Sequence, residues 1–232
     1  MQKKLSEKKI IIAGSEGLLG SEVSKYFESI GSEVVRIDIK LGHDLTDEKM
    51  VKEIMSSNKQ ADVLFTPFAI NPQPDDDSFD LFSLPLSSLN EYLNVNLLSL
   101  FSVCREFAKN CENNSSIINF SSTYGIRSPK HFIYPDGYTK HVGYSITKSG
   151  VIGLTKYLGA YLAPKIRVNA IVPGGVENGQ NEEFIESYSN NTPMNRMMQK
   201  EEIIGISKFL ASDESSYTTS SLFKVDGGWS SW

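Results

Sequence analysis

Short apolar runs alternate along the chain with longer stretches in which apolar residues recur every three or four positions. The short runs predict strands buried on both faces, at 10–13, 34–38, 62–65, 117–120, 167–172 and 222–225. The longer stretches predict amphipathic helices, at 18–30, 46–57, 88–111, 142–162 and 201–211, with one more near 182–189. Strands alternating with helices predict a mostly parallel sheet covered on both faces. Right-handed crossovers make this a doubly wound, three-layer α/β fold.

The pattern shows no repeat and no linker, so it predicts a single domain over 1–232. Thr46 is predicted to cap the second helix, and Ser88 with Glu91 has capping-box spacing in the long helix. Because ligands of doubly wound folds bind at the carboxyl ends of the strands, we expect the long connections there to border the ligand. These connections are 66–86, with Asp75-Asp76-Asp77 as a solvated turn, 123–141 and 173–200.

Composition excludes several classes of partner. The 232 residues carry 23 Lys and Arg against 28 Asp and Glu, a net charge of −5 that disfavours nucleic-acid binding. No apolar run is long enough for a membrane span or a signal-peptide core. The two cysteines suit a reducing compartment, and the three histidines lack metal-ligand spacing. We therefore expect a cytoplasmic protein with a small-molecule partner and no required metal.

A glycine-rich segment lies between the first strand and the first helix, where Gly14, Gly17 and Gly20 are spaced three apart. At this position a dinucleotide pyrophosphate can approach bare backbone and a helix N-terminus. A tight strand-to-helix turn without a ligand is the alternative. The predicted cofactor contacts here are Gly14, Ser15, Glu16, Gly17, Leu18 and Leu19.

Asp38 ends the second strand. A carboxylate there can accept hydrogen bonds from the ribose hydroxyls of NAD and would repel the 2′-phosphate of NADP. Arg36 and Lys40 flank Asp38 but are not placed to outweigh it. NAD is therefore the predicted cofactor and NADP the less favoured one, with a solvated strand-end carboxylate as the alternative.

Ser122 follows the fourth strand, and Tyr144 and Lys148 stand four apart on the next helix, so they share one face. A nearby ammonium and a positive nicotinamide would favour the tyrosine phenolate and lower its pKa from about 10. The tyrosine would then serve as a general acid or base near neutral pH, with the serine hydroxyl on the substrate oxygen. An exposed helix pair is the alternative.

Asn96 falls on the apolar stripe of the long helix, where a buried amide needs hydrogen-bond partners. Two interpretations stay open. It is either a satisfied core asparagine, or the anchor of a water or backbone carbonyl beside the catalytic lysine.

Along nearly its whole length the chain resembles the short-chain dehydrogenase/reductase family. The features that carry the resemblance are the three glycines, Asp38, Asp44-Leu45-Thr46, Asn96, Ser122, Tyr144 with Lys148, and segments 167–175, 209–213 and 225–228. The resemblance implies a Rossmann fold, with Tyr144 as acid/base, Lys148 on the nicotinamide ribose, Ser122 polarising the substrate oxygen and Asn96 supporting a proton relay. It also implies a homodimer or homotetramer.

The resemblance extends to further cofactor contacts. It implies that Asp44 and Leu45 contact the adenine, that Phe68 and Ala69 border the adenosine half, and that three residues line the nicotinamide. Those three are Pro173, Gly174 and Val176.

Several features depart from the family pattern. The glycine spacing is that of its extended or atypical branches, and Thr66-Pro67-Phe68-Ala69 replaces the usual Asn-Asn-Ala-Gly. Five residues between Asp38 and Asp44 are too few for a helix and a strand, since such a crossover needs about 10–12 residues. We therefore predict a sheet one strand shorter than usual at that edge.

The segment between Ser122 and Tyr144 is longer than in ordinary members of the family, and both of its ends are catalytic. It must therefore lie over the substrate, and its polar and cationic residues favour a polar substrate, including an anionic one. A solvated surface loop is the alternative. The predicted substrate residues are Thr123, Tyr124, His131, Tyr134 and, from a later loop, Asn178.

Segments 121–134, 173–180 and 183–184 resemble the bacterial subgroup called flagellin modification protein A, which is linked to surface-sugar biosynthesis. The resemblance implies an NAD-dependent oxidoreductase acting on a sugar, sugar phosphate or nucleotide sugar. Two alternatives stay open: reduction of a 3-oxoacyl carrier-protein substrate, and a dinucleotide-binding regulator without turnover. Trp229 and Trp232 are predicted to pack at a subunit contact.

Overall fold

A computed structural model gives the structure of the protein, and it describes residues 3–71, 81–135 and 137–232. Parts of two predicted loops, 72–80 with Asp75-Asp76-Asp77 and position 136, lie outside the described residues.

Six parallel strands form the sheet, in the order β2-β1-β3-β4-β5-β6. They are β1 (Lys9–Ala13), β2 (Glu33–Ile37), β3 (Val63–Thr66), β4 (Ser115–Phe120), β5 (Ile166–Pro173) and β6 (Leu222–Val225). All six predicted strands are confirmed. The sheet ends at β2, because the chain makes only a short 3-10 turn, Ile39–Leu41, before it goes on to the next helix. The prediction of a missing edge strand is therefore confirmed.

Seven helices cover the sheet within the described ranges. They are α1 (Leu18–Ser29), α2 (Glu48–Ser57), α3 (Leu86–Leu93), α4 (Ser99–Asn110), α5 (Val142–Leu162), α6 (Glu182–Asn190) and α7 (Ile203–Ala211). A π-helical segment, Asn94–Leu98, joins α3 to α4 without a break. The predicted helix 88–111 is thus one continuous helix with a local change of hydrogen bonding, a feature frequent at functional sites.

The core lies on both faces of the sheet because successive strand residues point in opposite directions. Ile10 and Ile12 of β1 pack with Phe27 of α1 on one side. Ile11 packs on the other side with the cluster that includes Phe107 of α4. From β1 the chain first adds β2 on one side and then returns to add β3 on the other side. The carboxyl ends of β1 and β3 therefore border the crevice in which doubly wound folds bind ligands.

Two predicted helix caps are wrong. Asp47, not Thr46, caps α2, because its carboxylate accepts the N–H groups of the first turn while the Thr46 hydroxyl donates to Asp44. The long helix begins at Leu86, after Pro85, two residues earlier than predicted. Ser88 is therefore already helical, and its hydroxyl meets His141 Nε2 at 3.0 Å instead of capping.

Candidate active site

Two of the three glycines in the loop are required by close packing, and the third leaves space beside the backbone. Gly14 has φ 95°, and a Cβ on Gly20 would lie 1.9 Å from the Gly14 carbonyl oxygen, so both positions require glycine for the turn itself. A Cβ on Gly17 would meet only that carbonyl, at 3.4 Å, among the described residues. Packing within the chain therefore explains Gly14 and Gly20, and Gly17 is the glycine that a bound ligand would explain.

Gly17 is the N-cap of the twelve-residue helix α1 and has no side chain to satisfy the N–H groups of the first turn. Such a helix start at the carboxyl end of β1 suits the pyrophosphate of a dinucleotide. The Ser15 hydroxyl donates to Glu16, and Arg36 forms an ion pair with the same carboxylate at 3.0 Å. These hydrogen bonds to Arg36 and Ser15 lower the pKa of Glu16.

Asp38 lies beside the loop and is 8% exposed. Its two carboxylate oxygens accept the backbone N–H groups of Glu16 and Lys40, both at 3.0 Å. Each oxygen keeps a second lone pair, so the carboxylate can still accept ribose hydroxyls. Arg36 is bound by Glu28 as well as by Glu16, so its charge is already balanced by two carboxylates.

The loop after β3 contacts the glycine loop, as its predicted place at the adenosine half requires. A Cβ on Gly14 would lie 2.6 Å from the Phe68 backbone nitrogen. Phe68 and Leu45 are half-buried against the core, whereas Ala69 and Asp44 are exposed. Hydrogen bonds from Thr46 lower the pKa of Asp44. The residues differ from the family pattern, but the loop occupies the expected position.

Asn96 lies in the π-helical segment and is buried. Its Oδ1 accepts the Ile70 N–H at 2.8 Å, and its Nδ2 donates to the Ile70 carbonyl at 3.1 Å and to Thr147 Oγ1 at 3.3 Å. The side chain thus ties the loop after β3 to the turn of α5 between Tyr144 and Lys148. Its amide is satisfied, and its place beside the catalytic turn suits a supporting role.

The structure brings Ser122, Tyr144 and Lys148 together. Ser122, at the carboxyl end of β4, lies close enough to the Tyr144 hydroxyl for its side chain to lower the pKa of Tyr144. Lys148 Nζ lies 5.7 Å from the Tyr144 ring centroid and donates to the Phe120 carbonyl at 2.8 Å. The Lys148 carbonyl in turn accepts the Ser121 hydroxyl at 2.8 Å, which fixes α5 against the end of β4.

Burial dominates the electrostatics of this group. It lowers the pKa of Lys148 to about 8 and raises the pKa of Tyr144, against which the hydrogen bond from Ser122 acts. The sequence predicted a lowered tyrosine pKa from the ammonium and the positive nicotinamide together. In the chain itself the pKa is raised instead, because desolvation of the phenolate is the larger effect.

The start of α5 is held by His141, whose Nδ1 accepts the Gly143 N–H at 3.0 Å. The imidazole stacks on Tyr92 of α3, with ring centroids 4.1 Å apart. Burial, with a smaller contribution from Lys140, lowers the pKa of His141. The neutral imidazole therefore acts as the N-cap of the helix that carries Tyr144 and Lys148.

The predicted substrate residues divide into two groups. In the first group, the hydroxyls of Tyr124 and Tyr134 are hydrogen-bonded at 2.7 Å. The Tyr124 ring packs edge-on against the Tyr144 ring, with centroids 6.5 Å apart, and Thr123 beside it in sequence is buried. His131 and Asn178 are exposed on turns, and their contact with substrate stays a prediction.

Trp229 does not lie at a subunit contact, and that prediction is wrong. Its ring is 1% exposed within the chain's own aromatic cluster, stacked on Tyr188 at 5.9 Å and edge-on to Tyr124 at 5.6 Å. The reason is that the turn after β6 points back over the carboxyl end of the sheet. Trp232 is 67% exposed, and its predicted role stays open.

The loop after β5 is fixed by contacts that the sequence did not indicate. The Tyr188 hydroxyl of α6 accepts the Gly175 N–H, and Val176 forms a parallel bridge with Met198. Pro173, the last residue of β5, and Gly174 are thereby held at the carboxyl end of the sheet, where a nicotinamide contact is predicted. Tyr188 carried no motif that could have revealed this role.

Lys140 is a site residue that the sequence reasoning missed. It is 9% exposed, and its Nζ lies 5.0 Å from the Tyr144 ring centroid and donates to Asn71 Oδ1. Burial lowers its pKa to about 8. The sequence did contain a hint of this role: Lys140 precedes Tyr144 by four residues, just as Lys148 follows it by four.

Over residues 3–71, 81–135 and 137–232 there is no group of three or more His, Cys, Asp or Glu side chains that could hold a metal ion. No helix in these ranges is long and apolar enough to cross a membrane.

A family model described as enoyl-(acyl carrier protein) reductase matches residues 7–230. The crystal structure of a short chain dehydrogenase from Leptospira borgpetersenii with bound NAD+ superposes with a TM-score of 0.84 at 30% identity, over 99% of this chain and 97% of that one.

Two curated relatives match over shorter segments. The 3-oxoacyl-[acyl-carrier-protein] reductase of Thermotoga maritima is 36% identical over 59% of this chain and 54% of its own length. The post-translational flagellin modification protein A of Campylobacter coli is 35% identical over 60% of this chain and 56% of its own. The matched part is thus little more than half the length of either relative.

Proposed function

The chain belongs to the short-chain dehydrogenase/reductase family, whose members are oxidoreductases of alcohol and ketone groups, and we propose that it interconverts a secondary hydroxyl and a ketone of a polar, sugar-like substrate with NAD(H). The observation that carries the proposal is the grouping of Ser122, Tyr144 and Lys148 at the carboxyl end of β4. The binding residues follow the same edge of the sheet, from the glycine loop to the end of β5.

Each residue of the group has a distinct role in the proposed reaction. Tyr144 donates or accepts the proton at the substrate oxygen, and Ser122, beside the Tyr144 hydroxyl, holds that oxygen. The Lys148 ammonium stabilises the phenolate and holds the nicotinamide ribose. Asn96 supports the proton path by fixing the loop after β3 against α5. NAD(H), when bound, supplies or takes up the hydride.

NAD is the proposed cofactor, and NADP is the less favoured one. Asp38 lies where the ribose hydroxyls of the adenosine half would be, and the nearest guanidinium, Arg36, is held by two glutamates. A 2′-phosphate would therefore meet a carboxylate without a free arginine to balance it. The relative from Leptospira holds NAD+ in its own crystal structure, which supports the same choice.

The substrate side supports a polar ligand. Tyrosine hydroxyls and the Lys140 ammonium face the same region as Tyr144, and these groups suit hydroxyl-rich molecules better than an acyl chain. The flagellin modification relative makes a sugar, sugar phosphate or nucleotide sugar the first class to test. Loops 66–86, 123–141 and 173–200 are the proposed borders of this pocket.

A second candidate is a 3-oxoacyl carrier-protein reductase, which the Thermotoga relative and the description of the family model favour. Hydride transfer to a 3-oxoacyl thioester without transfer to any sugar would select it. A regulator without turnover is a weaker alternative, because such a role does not require the catalytic residues that are present.

The first experiment titrates the purified protein with NADH and NADPH and then screens hydride transfer on sugars, sugar phosphates, nucleotide sugars and a 3-oxoacyl thioester. Tyr144→Phe should abolish turnover and leave NADH affinity nearly unchanged. Tyr217→Phe, at a fully exposed position, is the matched control and should behave as wild type. Retained turnover in Tyr144→Phe would refute the proposed mechanism.

Assembly and location are also proposals. We propose a homodimer or homotetramer, supported by the exposed face of α5, where Tyr157 and Tyr161 stack at 5.9 Å while 65% and 73% exposed. Size-exclusion chromatography with light scattering measures the subunit number. A cytoplasmic location stays a prediction.

A further inference from the structure

Lys140 is the last cation of the segment between Ser122 and Tyr144, and its side chain is more than nine-tenths buried. Its Nζ lies over the Tyr144 ring, 5.0 Å from the centroid, and donates to Asn71 in the loop after β3. Lys148 lies against the same ring, at 5.7 Å. The proposed acid/base therefore has a second ammonium beside it, and the proposed reaction gives that ammonium no role.

A buried ammonium is costly unless hydrogen bonds or an opposite charge compensate it. A lysine has three N–H donors, and Asn71 takes one of those on Lys140. Across the three described ranges, the ion pairs within 4.0 Å include none to Lys140. Among the described residues, the hydrogen bonds and ion pairs of Lys140 therefore leave two donors and the positive charge for a ligand.

The position of Lys140 connects it to substrate rather than to the adenosine half of the cofactor. Asn71 directly follows Ile70, which Asn96 fixes against the catalytic turn of α5. Because Lys140 Nζ also lies over the Tyr144 ring, the group that it is proposed to bind belongs to the molecule whose oxygen meets Tyr144.

Among the described residues between Ser122 and Tyr144, Lys140 is the cation whose charged group lies over the Tyr144 ring. Lys130 donates to Asn191 and lies over Trp229, and Arg127 donates to the Ser230 carbonyl. One ammonium beside the acid/base matches one negative charge, that of a carboxylate, better than the double charge of a phosphate monoester.

We propose that Lys140 is a specificity-determining residue that binds a carboxylate carried by the substrate close to its reacting carbon. The substrate class is then a sugar acid, such as an aldonate or its keto acid, rather than a neutral sugar. The inference rests on the proposed function, because it assigns the substrate of that same site.

The test compares wild type with Lys140→Met, Lys140→Arg and Lys156→Met. Lys156 is exposed on α5, so its variant controls for net charge. Calorimetry measures the binding of tartrate and of threitol, its analogue without carboxylates, to each protein saturated with NADH. Hydride transfer is then measured with aldonates, the matching aldoses and aldose phosphates. Circular dichroism and NADH affinity report folding.

We expect tartrate to bind wild type and to bind Lys140→Met at least tenfold more weakly, because a charge-assisted hydrogen bond is lost. Lys140→Arg should restore part of the tartrate affinity. Threitol binding and the Lys156→Met variant should be unchanged. The KM for aldonates should rise at least tenfold in Lys140→Met, and by a larger factor than the KM for the matching aldoses.

Tartrate that binds Lys140→Met as it binds wild type, or that fails to bind wild type, overturns the proposal. Turnover confined to neutral sugars and indifferent to Lys140→Met also overturns it while the proposed function stands. Dependence on Lys140 for sugar phosphates alone overturns the carboxylate assignment. Tartrate binding that depends on Lys140, without hydride transfer to any of these compounds, supports the carboxylate site and counts against the proposed function.

Discussion

Replacing Lys148 should stabilise the fold while it abolishes activity. The ammonium is buried, and burial lowers its pKa from 10.5 to about 8. A difference of this size corresponds to a cost of about 3 kcal/mol in the free energy of unfolding at neutral pH. Lys148→Met removes that cost but leaves the Phe120 carbonyl without its donor, which costs about 1 kcal/mol. We expect a net gain of about 1–3 kcal/mol together with lost hydride transfer, as is common when a strained site residue is removed.

The stability difference between wild type and Lys148→Met should depend on pH, in a direction that the lowered pKa of Lys148 determines. Because the pKa of Lys148 is lower in the folded chain, the unfolded chain binds more protons between pH 8 and 10.5. Wild-type stability from this group therefore rises with pH across that window. The advantage of Lys148→Met should be full below pH 8 and should shrink as the pH approaches 10.5.

The assay is urea unfolding of the cofactor-free protein at fixed concentration, followed by circular dichroism at pH 7 and at pH 10. Lys156→Met, on the same helix but exposed, should change the free energy of unfolding by less than about 0.5 kcal/mol. A Lys148→Met variant less stable than wild type at pH 7, or an advantage that grows with pH, would refute the reasoning.

Three further outcomes follow from the geometry. Asn96→Ala loses three hydrogen bonds and should lower the free energy of unfolding in urea by about 2–3 kcal/mol. Asn94→Ala, exposed in the same segment, should change it by less than about 0.5 kcal/mol. Equal losses of stability in the two variants would contradict the role of Asn96. Gly20→Ala would place a Cβ 1.9 Å from a backbone carbonyl of the glycine loop, so it should cost more than about 2 kcal/mol and weaken NADH binding in a fluorescence titration, whereas Gly153→Ala, with open space around the Cβ, should be neutral or stabilising. Burial, with a smaller contribution from Lys140, lowers the pKa of His141, whose neutral ring caps α5. Its contribution to stability is therefore present above pH about 6.5 and is lost as the pH falls through the folded pKa. Unfolding between pH 7 and 5 should show a steeper decline in wild type than in His141→Ala.

The sequence by itself determined the architecture, because local pattern decides it. Period and length of the apolar runs identified all six strands, and helix 142–162 has the observed bounds. Five residues between Asp38 and Asp44 were enough to predict the missing edge strand, since chain length limits what a crossover can hold. The pairing of Tyr144 and Lys148 was predictable from their spacing on one helix face, and Ser122 joined them through its position after a strand and the family resemblance.

Tertiary structure alone decided what depends on neighbours distant along the chain. The predicted Ser88 cap was wrong because His141, which is distant along the chain, lies against the Ser88 hydroxyl. The pKa of Tyr144 is raised in the cofactor-free chain because burial, which no spacing reveals, outweighs the opposing effect of Ser122. Trp229 is core because the turn after β6 folds back over the sheet. The ammonium of Lys140 lies at the proposed acid/base for the same reason: only the packed fold sets which charges share a desolvated space.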